Sequence, residues 1–282
     1  MRKVAIVTVH GIGMQTASYA DEFFQKITGA LRGDPDVEVK CFANLWKTAT
    51  QPSEEALYER LKKRKPKWNL LRQFMVKFVG DALSYQVPSS GGTFKPLELS
   101  PTNEAYPDVH QRLDDTLKAA QEWLGEEGEL VIVSHSLGTI VANNFIWDVT
   151  HPDSAGAKVF VASDEAKAAL KKLQLLVTLG SPLALWSLQW EDQGDPISVE
   201  NWINVWCPTD IIAYPIKDIN PAYGAKANYQ DVRMYVGGAL TFWNPGSHVM
   251  YMDSQKVVNM IASSISDEYI DMEYSEFELW NC

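Results

Sequence analysis

The chain has 282 residues, 46% of them hydrophobic and 22% charged, enough to bury a sizeable core as one large domain or two small ones. Its formal net charge of −11 repels phosphate backbones, and no basic face is large enough to reverse that, which argues against nucleic acid as a partner. The three cysteines, Cys41, Cys207 and Cys282, lie far apart without C-x-x-C spacing, so they signal neither a zinc site nor a disulfide framework and point to free thiols in a reducing, cytoplasmic setting.

Met1-Arg2-Lys3 before an apolar run has the superficial look of a secretory leader, but the run is short and is broken by His10-Gly11-Ile12-Gly13. Val4 to Val9 is instead a continuous β-branched run suited to a parallel strand buried on both faces. No segment approaches the length of a membrane span. Ligands bind at the C-terminal edge of such a sheet, and the two glycines there let backbone come close to a substrate. The N–H of Ile12, with that of Gly11, can donate to an oxyanion at this edge, while His10 either braces the loop or lines a pocket. Asp21 to Leu31 carries Phe23, Phe24, Ile27 and Leu31 at helical spacing, and Val37 to Phe42 alternates like a strand.

From about 45 to 110 the β-α rhythm stops. Arg60, Lys62, Lys63, Arg64, Lys65, Lys67, Arg72 and Lys77 concentrate positive charge in an otherwise acidic chain. Trp68 precedes an apolar stripe of Leu70, Leu71, Phe74, Met75, Phe78, Val79 and Leu83 at helical spacing. Three readings fit the stripe: a plain packed helix, a lid over an apolar substrate site, or a dock that brings 60–83 into transient contact with an anionic membrane surface. Val87 to Gly92 has the composition of a loop, and Glu104 to Leu124 is a helix with Val109, Leu113, Leu117, Ala120 and Leu124 on one face.

Leu130 to Val133 is another apolar run, ending in Ser134-His135-Ser136-Leu137-Gly138 before a helical pattern that stops at His151-Pro152. A strand that reverses into a helix this tightly crowds the positions two before and two after the apex, and Ser134 and Gly138 are both small. The apex, Ser136, then stands exposed at a helix N-terminus where N–H groups favour an anion, which makes it the candidate nucleophile. The strand Leu173 to Leu179 ends in Gly180-Ser181-Pro182, a competing serine, but an elbow serine uses the next backbone N–H as an oxyanion donor and Pro182 has none. Trp202 to Cys207 is a further strand, followed by Asp210 as the candidate orienting carboxylate, with Asp218 and Asp231 as alternatives. Val232 to Val236 is the expected last strand.

A serine hydroxyl needs a base near neutral pKa, usually histidine. Of the five histidines, His10 and His135 flank loops they are placed to brace, and His110 and His151 sit on helices as expected surface groups. His248 remains, on a late loop beyond the last strand, and completes the chain order Ser136, Asp210, His248.

Val7-Thr8-Val9-His10-Gly11, Ser134-His135-Ser136-Leu137-Gly138, Thr178-Leu179-Gly180-Ser181-Pro182, Asp210-Ile211-Ile212-Ala213-Tyr214-Pro215 and Ser247-His248 together resemble the serial motifs of lipase-like serine hydrolases of the α/β-hydrolase superfamily. The resemblance departs from G-x-S-x-G at Ser134 and does not reach the 45–110 insertion or the acidic, aromatic tail of 267–282. It implies one α/β-hydrolase domain over 1–266, with a mostly parallel sheet, helices on both faces and a helical insertion. It also implies an esterase or lipase in which Ser136 is nucleophile, His248 base and Asp210 its partner, with the N–H groups of Ile12 and Leu137 as oxyanion donors. Such acyl transfer needs no metal or organic cofactor. His10, Gly11 and Ser181, with Trp68 and Phe74 of the insertion, are the candidates to line a pocket for a small-molecule ester or lipid. The alternative is a non-catalytic hydrolase fold that binds lipid or another protein.

Overall fold

The computed structural model describes residues 1–11, 15–16, 18–32, 34, 36–46, 51–64, 67, 69–85, 105–190, 192, 194–238 and 245–266. Its strands are β1 (Arg2–Val9), β2 (Val37–Asn44), β3 (Glu129–His135), β4 (Leu173–Leu179), β5 (Trp202–Trp206) and β6 (Tyr229–Arg233). All pair in parallel, in the order β2-β1-β3-β4-β5-β6. The helices in chain order are α1 (Asp21–Leu31), α2 (Gln51–Lys62), α3 (Asn69–Ser84), α4 (Ala105–Leu124), α5 (Leu137–Thr150), α6 (Asp164–Leu170), the short α7 (Leu183–Trp186) and α8 (Pro221–Gly224), and α9 (Gln255–Ile265).

Alternate residues of a strand face opposite sides, and here both sides are apolar. Ala5, Val7, Val9, Leu130 and Ile132 pack with Val109, Leu113 and Leu117 of α4, Ile140 and Phe145 of α5, and Ala166 of α6. Val4, Ile6, Val131 and Val133 pack on the other side with Phe23, Ile27 and Leu31 of α1 and Val257, Val258 and Ile261 of α9. This is the α/β architecture that the sequence motifs imply, and none of the helices among the described residues is long and apolar enough to cross a membrane.

The chain leaves β1 towards β2 on one side and places β3 on the other, so the order reverses between β1 and β3. Crevices at such a reversal, outside the C-terminal strand ends, are where α/β sheets bind ligands. Val9 pairs with Ser134 there, which puts His10-Gly11 directly beside the β3–α5 turn. The long connection from β2 to β3 holds the insertion, in which α2 and α3 pack on each other. The stripe of α3 is neither core nor free surface: Phe74 and Phe78 are half-buried and stacked 5.8 Å apart, whereas Met75 and Val79 are exposed.

Two expectations need correction. The last strand is Tyr229–Arg233, three residues before the β-branched stretch, because Tyr229 seats its ring edge-on against Trp202 of β5, 5.0 Å between centroids, and pairing stops where β5 stops. His110 is not a surface group but is wholly buried on α4, where its Nε2 and the Tyr85 hydroxyl lie 2.7 Å apart. The expected loop at Val87 to Gly92 and the tail 267–282 lie outside the described residues.

A methyl group at Gly138, in the first turn of α5, would collide with the carbonyl oxygens of His10 and Val9 at the end of β1. Gly138→Ala is therefore expected to cost about 3 kcal/mol of folding stability, read as a lower urea midpoint at unchanged slope.

Candidate active site

The sharp turn between β3 and α5 puts Ser136 at φ 54, ψ −130, a region that L-residues rarely adopt and that costs on the order of 1–3 kcal/mol. The surroundings hold it there. Its N–H donates to the Leu179 carbonyl at 2.9 Å, and its own carbonyl accepts from the Thr139 N–H at 2.9 Å and the Thr139 hydroxyl at 2.7 Å. The Ser181 hydroxyl donates to Thr139 Oγ1 at 2.8 Å, which occupies the competing serine with bracing the turn. Gly11 presses on the same residue from β1, since a Cβ there would meet the Ser136 Cβ at 2.7 Å.

So held, Ser136 Oγ lies 2.8 Å from Nε2 of His248, and His248 Nδ1–H donates to Asp210 Oδ2 at 2.7 Å. The three residues come from the elbow, from the loop after β5 and from the 3-10 turn Pro245–Val249. All three are buried: Ser136 is 1%, His248 3% and Asp210 4% exposed, so the hydroxyl does not face open solvent. The order of bonds is that of a serine, a base and an orienting carboxylate.

Asp210 takes three donors. Besides His248, its Oδ2 accepts from the Tyr251 hydroxyl at 2.9 Å and its Oδ1 from the Ile212 N–H at 3.1 Å. Burial pushes the carboxyl up, but the hydrogen bond and charge of His248 and these neutral donors outweigh it and hold it below the usual range. Tyr251 in turn accepts from the Cys207 N–H at 2.9 Å, and burial and the adjoining carboxylate keep its phenol protonated far above the ordinary range. The ring fits because Gly180, at φ 60, has no Cβ; one would stand 2.7 Å from the Tyr251 ring. The alternative acids have other places: Asp231 accepts from Asn204 and from the N–H groups of Ile216 and Lys217, pinning the chain that leaves Asp210, and Asp218 is exposed.

The other expected residues divide. Leu137 is the first residue of α5, buried, with an N–H that has no helical acceptor and lies at the positive end of the helix dipole next to Ser136. His10 braces its loop: its Nδ1–H donates to the Gly11 carbonyl at 2.7 Å, its Nε2 accepts from the Trp46 N–H at 3.2 Å, and the two rings stack. One neutral tautomer satisfies both bonds, and burial pushes this imidazole down to about 4. Phe74 of α3 meets the site, its ring T-shaped against His248 at 4.9 Å. Ile12 and Trp68 lie outside the described residues. Sequence reasoning missed Tyr251, Thr139 and Trp46. Thr139 alone left a signal, as a hydroxyl one turn into the helix that follows the elbow.

No family model and no curated protein matches the sequence. Solved structures similar to this chain include an α/β serine hydrolase without a lid from Xanthomonas campestris, at 14% identity and TM-score 0.38, covering 93% of this chain and 81% of that one. An uncharacterized protein from Bacillus cereus is 10% identical at TM-score 0.41, covering 95% of this chain and 61% of its own. A cutinase-like protein from Cryptococcus is 11% identical at TM-score 0.38, covering 93% and 91%.

Burial pushes His10 down to about 4 and His110 and His135 down to about 3. Each binds a proton more weakly folded than unfolded, where the value is about 6.5. Their contribution is thus complete above that pH and is lost as pH falls towards the folded values. Urea unfolding should show stability falling by on the order of 2 kcal/mol for each such imidazole between pH 7 and 4.5, and His110→Gln should flatten that slope.

Proposed function

We propose that this chain is a serine hydrolase of carboxylic esters. The observation that carries the reading is the unbroken hydrogen-bond chain from Ser136 Oγ through His248 to Asp210, built on an elbow whose backbone is strained in the way that presents a nucleophile at a helix N-terminus. Ser136 attacks the ester carbonyl as its proton passes to His248 Nε2, and Asp210 stabilises the imidazolium so formed. The imidazolium protonates the departing alkoxide. A water molecule then attacks the acyl-enzyme by the same route, releasing the acid and restoring Ser136. The negative oxygen of each tetrahedral intermediate takes the Leu137 N–H, with the Gly11–Ile12 backbone as the second donor.

An apolar acyl group is the substrate class that the surroundings favour. The Phe74 ring packs on His248 and Phe78 stacks on Phe74, and the exposed Met75 and Val79 lie on the same helix. Arg60, Lys62, Lys63, Arg64, Lys67, Arg72 and Lys77 surround these apolar residues in sequence, which supports 60–83 as the stretch that meets anionic lipid.

Ser136→Ala is expected to remove labelling by a fluorophosphonate probe and to lower ester turnover on the order of a millionfold, with labelled peptide mapping on the wild-type chain locating the adduct. Retained labelling in the variant would defeat the assignment. Across a series of nitrophenyl esters, kcat/KM should rise from acetate to octanoate, and Phe74→Ala should reduce that rise; a steep fall beyond acetate would rule out the apolar preference.

A further inference from the structure

His135, the residue before the nucleophile, makes a bond that the reaction scheme does not use. Its Nε2–H donates to the backbone carbonyl of His248 at 2.7 Å, and the two rings lie 5.1 Å apart. Because a strand alternates its side chains and the turn at Ser136 is sharp, Ser136 and His135 project on different sides of the elbow, and both end on His248: one at the ring, the other at the main chain. We infer that His135 is a positioning residue, a clamp that sets the distance between the base and the nucleophile. This inference rests on the reading of Ser136, His248 and Asp210 as a catalytic triad.

The need for a clamp follows from where His248 sits. It belongs to a 3-10 turn outside the sheet, with no strand ladder to fix it. The ring is held by Asp210 and packed by Phe74, but neither contact fixes the main chain relative to Ser136. The His135 bond does so through a single peptide unit, because its own backbone runs straight into Ser136. A displacement near 1 Å between nucleophile and base costs about a hundredfold in rate.

Geometry also keeps the clamp out of the proton transfer. Nε2 is committed to a carbonyl, which accepts only, so the ring must carry its proton there and is no rival base for Ser136. Burial and the neighbouring His248 push its titration down to about 3, so it stays neutral while His248 takes up a proton.

The test compares His135→Leu, which removes the donor, with His135→Gln, whose amide can donate from a similar position. The Leu variant should lose 10- to 100-fold in kcat on a nitrophenyl ester with KM unchanged and with a parallel loss in fluorophosphonate labelling rate, while the Gln variant should recover most of both. Thermal midpoints of the two variants normalise for folding. Wild-type kcat in a folded Leu variant, or no recovery in a folded Gln variant, overturns the clamp. If the variants do not fold, nitrogen-15 spectra of the wild-type histidine rings decide: a neutral Nε2–H tautomer for His135 from pH 8 to 5 supports the inference, and an Nδ1–H tautomer or protonation within that range overturns it. A wild-type chain that reacts with neither ester nor probe refutes the triad itself, whereas a reactive wild type with an indifferent position 135 refutes only the clamp.

Discussion

Two stretches of backbone lie against each other where β1 and β3 end, and the rest of the site is built on that contact. Gly11 lets the end of β1 touch Ser136, and Gly138 lets the first turn of α5 touch the carbonyls of Val9 and His10. With side chains at either position the elbow would stand away from the sheet. Without them the strained serine is clasped between main-chain atoms, and its cost of on the order of 1–3 kcal/mol is offset by bonds to Leu179 and Thr139.

From this contact the other parts fall into layers. The serine's position is set by sheet and helix, the elements of the protein with the most buried apolar surface. The carboxylate is held by a loop whose far end is fastened through Asp231, Asn204 and Thr178 back to β4 and β5. His248, on a 3-10 turn, is joined by Asp210 at Nδ1, by the His135 ring at its main-chain carbonyl and by the Phe74 ring. Hydrogen bonds shorter than 3 Å thus link the sheet-borne serine to the turn that carries His248.

Much of this was legible in the sequence because it is written locally. Largely apolar runs end in glycine or a turn at β1, β3 and β4, and the small-apex-small spacing marks the elbow without any long-range information. His248 follows by elimination, since the other four histidines read as loop braces or surface groups, although that reading of His110 was wrong. What was not legible depends on contacts across the fold. Tyr229 enters β6 because of Trp202, and Tyr251 supports Asp210 from 41 residues away. His110 is the instructive case: it follows Tyr106 by one turn of α4 and precedes Asp114 by another, a buried stripe that the apolar face at Val109 and Leu113 conceals.

The ring that touches the base comes from α3, a helix that adds no strand to the sheet and no hydrogen bond among those that join Ser136, His248 and Asp210. The hydrogen-bond chain and the aromatic ring packed on it therefore come from separate stretches of the sequence. The ring contact can accordingly be altered at Phe74 without touching any atom of that hydrogen-bond chain.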